Sequence, residues 1–269
     1  MRVVTTLLLV GTAALALADP FRPSISDQIK LGKEAAEQVR KKEKVLPDTD
    51  GRVKELRRLG KMLVDLIPAK EKKDRPFVYS FDVVESKEVN AFALPGGPIF
   101  FYTGLLDKLK NEDEVVGILG HEMTHIRNQH WASAYADNMK RQLGIVAILT
   151  IVKANNDIFN MAGAADTVFG SLPYSRKHES EADTVGFDLM VQAGYNPQGM
   201  ADVFTMLGKV SKGGGPEFLN THPDSANRVK AIEKRIKDSG KTFPPERPRK
   251  PEATGVTWKK GWATLGGKG

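Results

Sequence analysis

The stretch His121-Glu122-Met123-Thr124-His125 is the most informative motif in this chain. It lies inside a predicted helix that Asn111 can cap, with Glu114 at the capping-box position. Histidines four residues apart share one face of a helix, so both imidazoles can reach a single ion. Glu122 lies beside them, where it can take a proton from water at that ion. This spacing is the His-Glu-x-x-His pattern of zinc sites, and it predicts one Zn²⁺ per chain.

A second acidic pattern follows at Ser175–Asp183, at the start of another predicted helix. Glu179 and Asp183 are four residues apart and share a face; without the two histidines they would be interpreted as a solvated acidic surface. A catalytic zinc takes three protein ligands, which predicts His121, His125 and Glu179 as the set. Asp183 is then placed to accept the second N–H of a ligand histidine.

Composition limits the kind of metal site. The chain has 269 residues, 5 histidines and no cysteine. The lack of cysteine excludes disulfide scaffolds, thiolate zinc fingers, iron–sulfur clusters and a cysteine nucleophile. On a continuous helix His130 lies about 140° round from His125, and His178 should face away from Glu179. Neither is predicted to be a ligand.

The two ends differ from the middle of the chain. Residues 1–18 combine Arg2, an apolar run and a small-residue pattern ending at Ala18, which predicts a cleaved signal peptide and export to the periplasm or beyond. An uncleaved anchor is the alternative. Residues 19–240 form the predicted catalytic domain, and residues 241–269, rich in Pro, Gly and basic residues, are predicted to be a mostly disordered tail.

Hydrophobic periodicity predicts a mostly helical α+β domain with one small sheet. Further predicted helices cover about 24–44, 48–67, 197–210 and 225–236, the second capped by Asp48 or Thr49. Strands are predicted at Phe77–Val84, Ala91–Leu94 and Pro98–Tyr102. The apolar run Leu143–Val152 is too short to span a bilayer. It predicts a buried helix, with a membrane-dipping or substrate-contacting hairpin as the alternative.

The positive charge is concentrated in the tail. The chain carries 40 basic and 33 acidic residues, a net charge of +7. Residues 241–269 hold 7 basic and 2 acidic residues, whereas residues 19–240 hold 32 and 31. A nucleic-acid binder needs a basic folded surface, so no nucleic-acid partner is expected. The narrower hypothesis is that the tail makes peripheral contact with an anionic envelope surface.

Several motifs together resemble the HtpX/BepA/Oma-like zinc metalloendopeptidases of metallopeptidase family forty-eight, which belongs to the gluzincins. The motifs lie between about Gly32 and Ile236; they are Asn90–Gly97, Gly104–Leu106, His121–His125, Tyr174–Asp183, Thr221–Pro223 and Arg228. HtpX carries several membrane spans, whereas this chain is more similar to the soluble, exported branch. We expect no counterpart here of the helical-repeat domain of BepA, so a chaperone role of that domain is not expected to transfer.

The resemblance implies a gluzincin peptidase fold in which an edge strand of the small sheet lies over the active-site helix. We expect that strand to be Pro98–Tyr102, with Pro98, Ile99, Phe100 and Phe101 binding an extended polypeptide. The expected substrates are unfolded or misassembled envelope proteins. A latent or non-catalytic chaperone-like binding protein on the same fold is the alternative.

The resemblance also implies roles for two residues near the C-terminal end of the domain. His222 and Arg228 match positions that approach the metal site in related proteins. They are therefore candidates for stabilising the oxyanion, while Glu122 acts as the general base. His222 has an alternative role as a fourth ligand that keeps the enzyme latent. The oligomeric state does not follow from the sequence.

Overall fold

The computed structural model describes residues 19–150, 174–210, 218–223, 225–250 and 253, excluding the side chains of residues 144–150 and of residue 225. The elements described are α1 (Ile25–Lys42), α2 (Gly51–Asp65), α3 (Ala69–Asp74), β1 (Ser80–Val84), β2 (Ala91–Ala93), β3 (Pro98–Tyr102), α4 (Thr103–Leu106), α5 (Glu112–Arg127), α6 (His130–Thr150), α7 (Arg176–Gln192), α8 (Gln198–Val210), α9 (Phe218–Thr221) and α10 (Ser225–Asp238). The predicted α+β class, mostly helical with one small sheet, is confirmed.

Polar side chains set where the helices begin. The Asn111 side chain accepts the backbone N–H of Glu114 at 2.8 Å and caps α5, as predicted. The Glu114 carboxylate accepts the N–H of Lys110, one residue before the cap. The predicted cap of α2 is wrong, since Asp50 accepts the N–H of Arg52 there.

The sheet has the order β1-β3-β2, which corrects one prediction. β3 pairs with β1 in parallel and with β2 antiparallel, so Pro98–Tyr102 is the central strand and not an edge. All five of its residues are buried. Propensity identifies a strand but does not give its neighbours in the sheet, so the sequence holds no local signal for this order. The edge strand nearest the active-site helix is β2.

Helix α5 is buried from Glu112 to Ile126 because it lies in the centre of the domain. The sheet covers one side of it, and α7 and α8 cover the other. Helix α1 packs on the opposite face of the sheet, through Ala35 and Ala36 against Phe100. The predicted site motifs therefore lie in the core of the domain.

Two glycines allow α5 and α7 to approach closely. A Cβ atom on Gly120 would lie 3.1 Å from the carbonyl oxygen of Gly186, and one on Gly186 would lie 3.0 Å from the backbone nitrogen of His121. Larger residues would push the helices apart. This contact sets the distance between the histidines of α5 and the carboxylates of α7.

The segment 241–250 differs from the predicted disordered tail because it packs on the domain. The backbone N–H of Arg247 donates to Asp113 at 2.6 Å, and Glu112 donates its N–H to the Arg247 carbonyl at 2.7 Å. Arg249 is buried against Glu55. Composition suggested disorder, but these arginines meet carboxylates and carbonyl groups of the body. Two of the basic residues assigned to the tail are therefore held by the domain.

Among the described residues, no helix combines the length and apolar character needed to cross a bilayer. The predicted signal peptide at residues 1–18, the side chains of the apolar run from Gly144 to Val152 and most of the tail after Lys250 lie outside the described residues.

Candidate metal centre

The two histidines of α5 converge as their spacing predicts. His121 Nε2 lies 3.0 Å from His125 Nε2. Both side chains are buried, and burial lowers the pKa of His121 to about 4 and that of His125 well below its usual value. Both rings are therefore neutral near pH 7, which is the protonation state that binds a metal.

Helix α7 brings Glu179 to the same point. Ser175 caps this helix by accepting the N–H of His178, and Glu179 follows in its first turn. Its carboxylate oxygens lie 3.6 Å from His121 Nε2 and 3.5 Å from His125 Nε2. The three predicted ligands are thus brought together at one buried point.

The spacing of these donors fits one metal ion. Ligand atoms bound to a tetrahedral ion at 2.0–2.2 Å lie about 3.3–3.6 Å apart. The two histidine nitrogens here lie 3.0 Å apart, Glu179 Oε1 lies 3.5 Å from His125 Nε2, and Glu179 Oε2 lies 3.6 Å from His121 Nε2. Arg228 Nη1 lies 2.7 Å from Glu179 Oε2, which leaves Oε1 as the oxygen that faces His125 and His222. Two imidazoles and a carboxylate are a donor set that zinc favours.

His222 occupies the fourth corner of the site. Its Nδ1 atom lies 3.1 Å from both His121 Nε2 and Glu179 Oε1. His121, His125, Glu179 and His222 form the group of ligand atoms that lie within 4.8 Å of one another. Burial lowers the pKa of His222, but the charges of Glu179 and Glu122 outweigh it and raise the net value.

Glu122 lies beside this group, on the side of His222. Its Oε1 atom is 3.4 Å from His222 Nε2 and accepts no hydrogen bond from the residues that the structure describes. Burial raises the pKa of Glu122 to about 7, although His222 and a hydrogen bond from the Ala93 backbone lower it. A carboxylate with a pKa near 7 is suited to both accept and return a proton.

Asp183 lies behind His121, as predicted from its spacing. Its Oδ1 atom is 3.0 Å from His121 Nδ1. Arg228 holds both oxygens of this carboxylate, at 2.8 and 2.7 Å. Burial raises the pKa of Asp183, but the hydrogen bonds from His121 and Arg228 outweigh it and lower the pKa to about 2. An ionised Asp183 can fix the His121 tautomer.

The donors of Arg228 point at the carboxylates rather than at an open reaction site. Its Nη1 atom lies 2.7 Å from Glu179 Oε2, and its guanidinium packs 3.9 Å from the centre of the Phe204 ring. This geometry fits a residue that orients Asp183 and Glu179. The predicted oxyanion role of Arg228 stays a prediction.

The structure places two further aromatic residues against His125 that the motif analysis did not assign. The Tyr174 ring stacks on the His125 ring at 3.9 Å, and His130 Nδ1 lies 3.0 Å from His125 Nδ1. The 140° rule for His130 assumed an unbroken helix, but α5 ends at Arg127. His178 is partly buried and stacks on His130.

The backbone that faces the site belongs to β2, not to the predicted strand. Leu94 donates its N–H to Pro98, and Tyr102 donates its N–H to Asn90. Because bonded residues alternate in an antiparallel pair, the N–H and C=O groups of Ala91 and Ala93 point away from β3. Ile99, Phe100 and Phe101 are completely buried in the central strand, so the substrate contact predicted for Pro98–Phe101 is corrected.

Comparisons with known proteins point to one family. The sequence model of peptidase family M48 matches residues 52–236. Mitochondrial metalloendopeptidase OMA1 of Arabidopsis thaliana is 36% identical over 150 residues, 56% of this chain and 30% of that protein. Metalloprotease YcaL of Escherichia coli K12 is 32% identical over 162 residues, 58% of this chain and 62% of that protein.

A third relative is the beta-barrel assembly-enhancing protease of Yersinia pestis, 27% identical over 161 residues, which cover 56% of this chain and 33% of that protein. The chain thus spans less than two thirds of the length of each of these curated relatives. The region that the family model matches, residues 52–236, contains all of the residues placed at the metal centre.

Proposed function

The chain belongs to peptidase family M48, and we propose that it is a zinc-dependent endopeptidase that hydrolyses peptide bonds in extended polypeptides. The observation that carries this proposal is the convergence of His121, His125 and Glu179 with Glu122 beside them. A protein that only bound peptides would have no need for a buried carboxylate with a pKa near 7 at this point.

His121, His125 and Glu179 would hold the zinc, which when bound supplies a Lewis acid for the scissile carbonyl and acidifies water. The Glu122 carboxylate removes a proton from the attacking water and returns it to the nitrogen of the leaving amine. Asp183 and Arg228 favour the His121 tautomer with its proton on Nδ1, whose Nε2 atom would be free to bind the zinc.

The edge of β2 is the proposed docking site for the substrate backbone. The outward C=O group of Ala93, which is only partly buried, can accept a hydrogen bond from an extended chain without reading its sequence. The Ala93 N–H reaches the Glu122 carboxylate, so a chain paired there lies beside the proposed general base.

The position of His222 supports a latent state. A side chain at the fourth corner competes with water and substrate for the place that a catalytic zinc leaves open. We infer that peptide hydrolysis requires His222 to move away. Of its two predicted roles, the distances favour the self-inhibiting ligand.

Cleavage of unfolded casein tests the peptidase proposal. We expect the zinc-loaded wild-type protein or its His222→Ala variant to cleave casein, and Glu122→Gln to abolish cleavage while zinc stays bound. The rival proposal is a non-catalytic chaperone-like binding protein. That rival is favoured, and the peptidase proposal fails, if the wild type and His222→Ala are as inert as Glu122→Gln with zinc bound.

We further propose that the protein is exported and acts on unfolded or misassembled envelope proteins. The support is the signal-like sequence at residues 1–18 and the similarity to a beta-barrel assembly-enhancing protease. The purified mature chain should begin at Asp19, and a chain that keeps Met1 contradicts cleavage. Deleting residues 254–269 should weaken salt-sensitive binding to anionic vesicles and spare casein cleavage.

A further inference from the structure

We propose that His130 is a positioning residue that accepts a hydrogen bond from the Nδ1–H of His125 and so holds this ligand in its metal-binding orientation. The inference rests on the metal site proposed above. In this proposal the outer partner of His125 is an imidazole, whereas the outer partner of His121 is the Asp183 carboxylate.

A break in the backbone creates this contact. Helix α5 ends at Arg127, with Asn128 as its C-cap. Gln129 follows with φ of 56°, a left-handed conformation that is uncommon for residues other than glycine. Helix α6 then begins at His130. The turn carries the His130 ring back towards α5, where it is 2% exposed.

The hydrogen-bond roles follow from what each nitrogen faces. His125 Nε2 faces His121 and Glu179, so in the metal-binding form it has a free lone pair and the proton is on Nδ1. His130 Nδ1, 3.0 Å away, must then accept that proton. A neutral His130 with an accepting Nδ1 has its proton on Nε2.

The outer nitrogen of His130 has an acceptor in reach. His130 Nε2 is buried and has no closer polar partner in the described part of the chain. It points to Glu181 Oε2 at 3.5 Å, and the other oxygen of Glu181 accepts the Asn128 side-chain N–H at 2.7 Å. A carboxylate at that distance favours the tautomer with the proton on Nε2. The series His125, His130, Glu181 is thus consistent in donors and acceptors.

Aromatic contacts fix the plane of both rings. His178 stacks on His130 with 4.5 Å between ring centres and 14° between planes. Tyr174 stacks on His125 at 3.9 Å. These contacts limit rotation about χ2, so His130 can set the direction of the His125 lone pair. Loss of such an outer partner typically lowers metal affinity about 10–100-fold.

Zinc affinity of the full chain, measured by competition with a chromophoric chelator, tests this role. His130→Leu and His130→Asn have similar shapes, but only asparagine places an accepting oxygen near the position of Nδ1. We expect the leucine variant to bind zinc about 10–100-fold more weakly and the asparagine variant to recover most of that loss. Thermal unfolding of the zinc-free proteins provides the control for the fold.

Equal zinc affinity of the wild type and a folded His130→Leu overturns the inference, and so does an equal loss in both variants. A wild type that binds no zinc overturns the metal site itself, which separates the two failures. If His130→Leu does not fold, Glu181→Ala replaces it, since that side chain is 42% exposed. Severalfold weaker zinc binding by Glu181→Ala supports the inference, and unchanged binding overturns it.

Discussion

Replacing Arg249 with methionine should destabilise the domain far from the metal. The Arg249 side chain is 1% exposed and faces Glu55, which is 5% exposed, at 2.7 Å. Arg249 also donates to the carbonyl groups of Leu106, Leu109 and Ala253. Methionine keeps much of the apolar volume but leaves the Glu55 carboxylate buried without a partner.

Breaking one side of a buried ion pair costs about 3–5 kcal/mol of unfolding free energy. For a domain of this size each kcal/mol lowers Tm by roughly 2–4 °C, so the midpoint should fall by roughly 6–20 °C. Chemical denaturation and calorimetry measure both quantities. Lys250→Met is the matched control, since Lys250 is an exposed neighbour, and it should stay within about 0.5 kcal/mol of the wild type.

The loss of stability in Arg249→Met should depend on pH through the Glu55 carboxylate. Burial raises the pKa of Glu55, and the hydrogen bond from Arg249 partly counters this. Without Arg249 the folded-state pKa rises further above the unfolded value. In that variant the folded state keeps its stability below the unfolded-state pKa of Glu55. It loses stability as the pH rises through the folded-state pKa of Glu55. The loss in Arg249→Met should therefore be larger at pH 7.5 than at pH 5.

A paired replacement provides the internal check. Glu55→Leu combined with Arg249→Met removes both charges, and it should recover most of the stability that Arg249→Met loses. An Arg249→Met protein within about 1 kcal/mol of the wild type at pH 7.5 would refute the reasoning. That result would mean that the segment 241–250 does not clamp the domain as the contacts indicate.

Three further substitutions test the site. Gly186→Ala should cost about 1–3 kcal/mol and weaken zinc binding, because its Cβ would force α7 away from α5; calorimetry and chelator competition check both. His222→Ala should raise casein cleavage roughly tenfold if the fourth position is closed in most molecules, and slower cleavage would instead assign a helper role to His222. Asp183→Asn should weaken zinc binding about 10–100-fold. Because the Asp183 pKa is lowered to about 2, its stabilising contribution is present above the unfolded pKa and is lost as the pH falls towards 2. An acid titration of unfolding should show that this loss is missing from Asp183→Asn.

Local spacing predicted the parts of the site that lie on single helices. His121 and His125 share a face of α5 because they are four residues apart, and Glu179 and Asp183 do so on α7 for the same reason. The meeting of the two helices depends on the Gly120 contact with α7, which no periodicity reveals. Only the chemistry of zinc predicts that the two helices lie together, because a catalytic site with two histidines needs a third protein ligand.

Features that depend on long-range order could not be predicted in this way. Strand order depends on which edges are covered, so the central position of Pro98–Tyr102 had no local signal. The contact of His130 with His125 depends on the conformation of Gln129. The packing of 241–250 depends on Glu55, nearly two hundred residues earlier, as the partner of Arg249. Each of these outcomes was decided by tertiary contacts rather than by propensity.

Titration of chelator-stripped protein with Zn²⁺, with casein cleavage followed at each addition, tests whether this chain is a zinc-dependent peptidase. If His121, His125 and Glu179 hold one catalytic ion, the cleavage rate of the wild type or of His222→Ala should rise from zero and level off at one equivalent. Cleavage that survives complete removal of metal would show that the reaction does not need zinc. An absence of cleavage in both proteins at saturating Zn²⁺ would contradict the peptidase proposal.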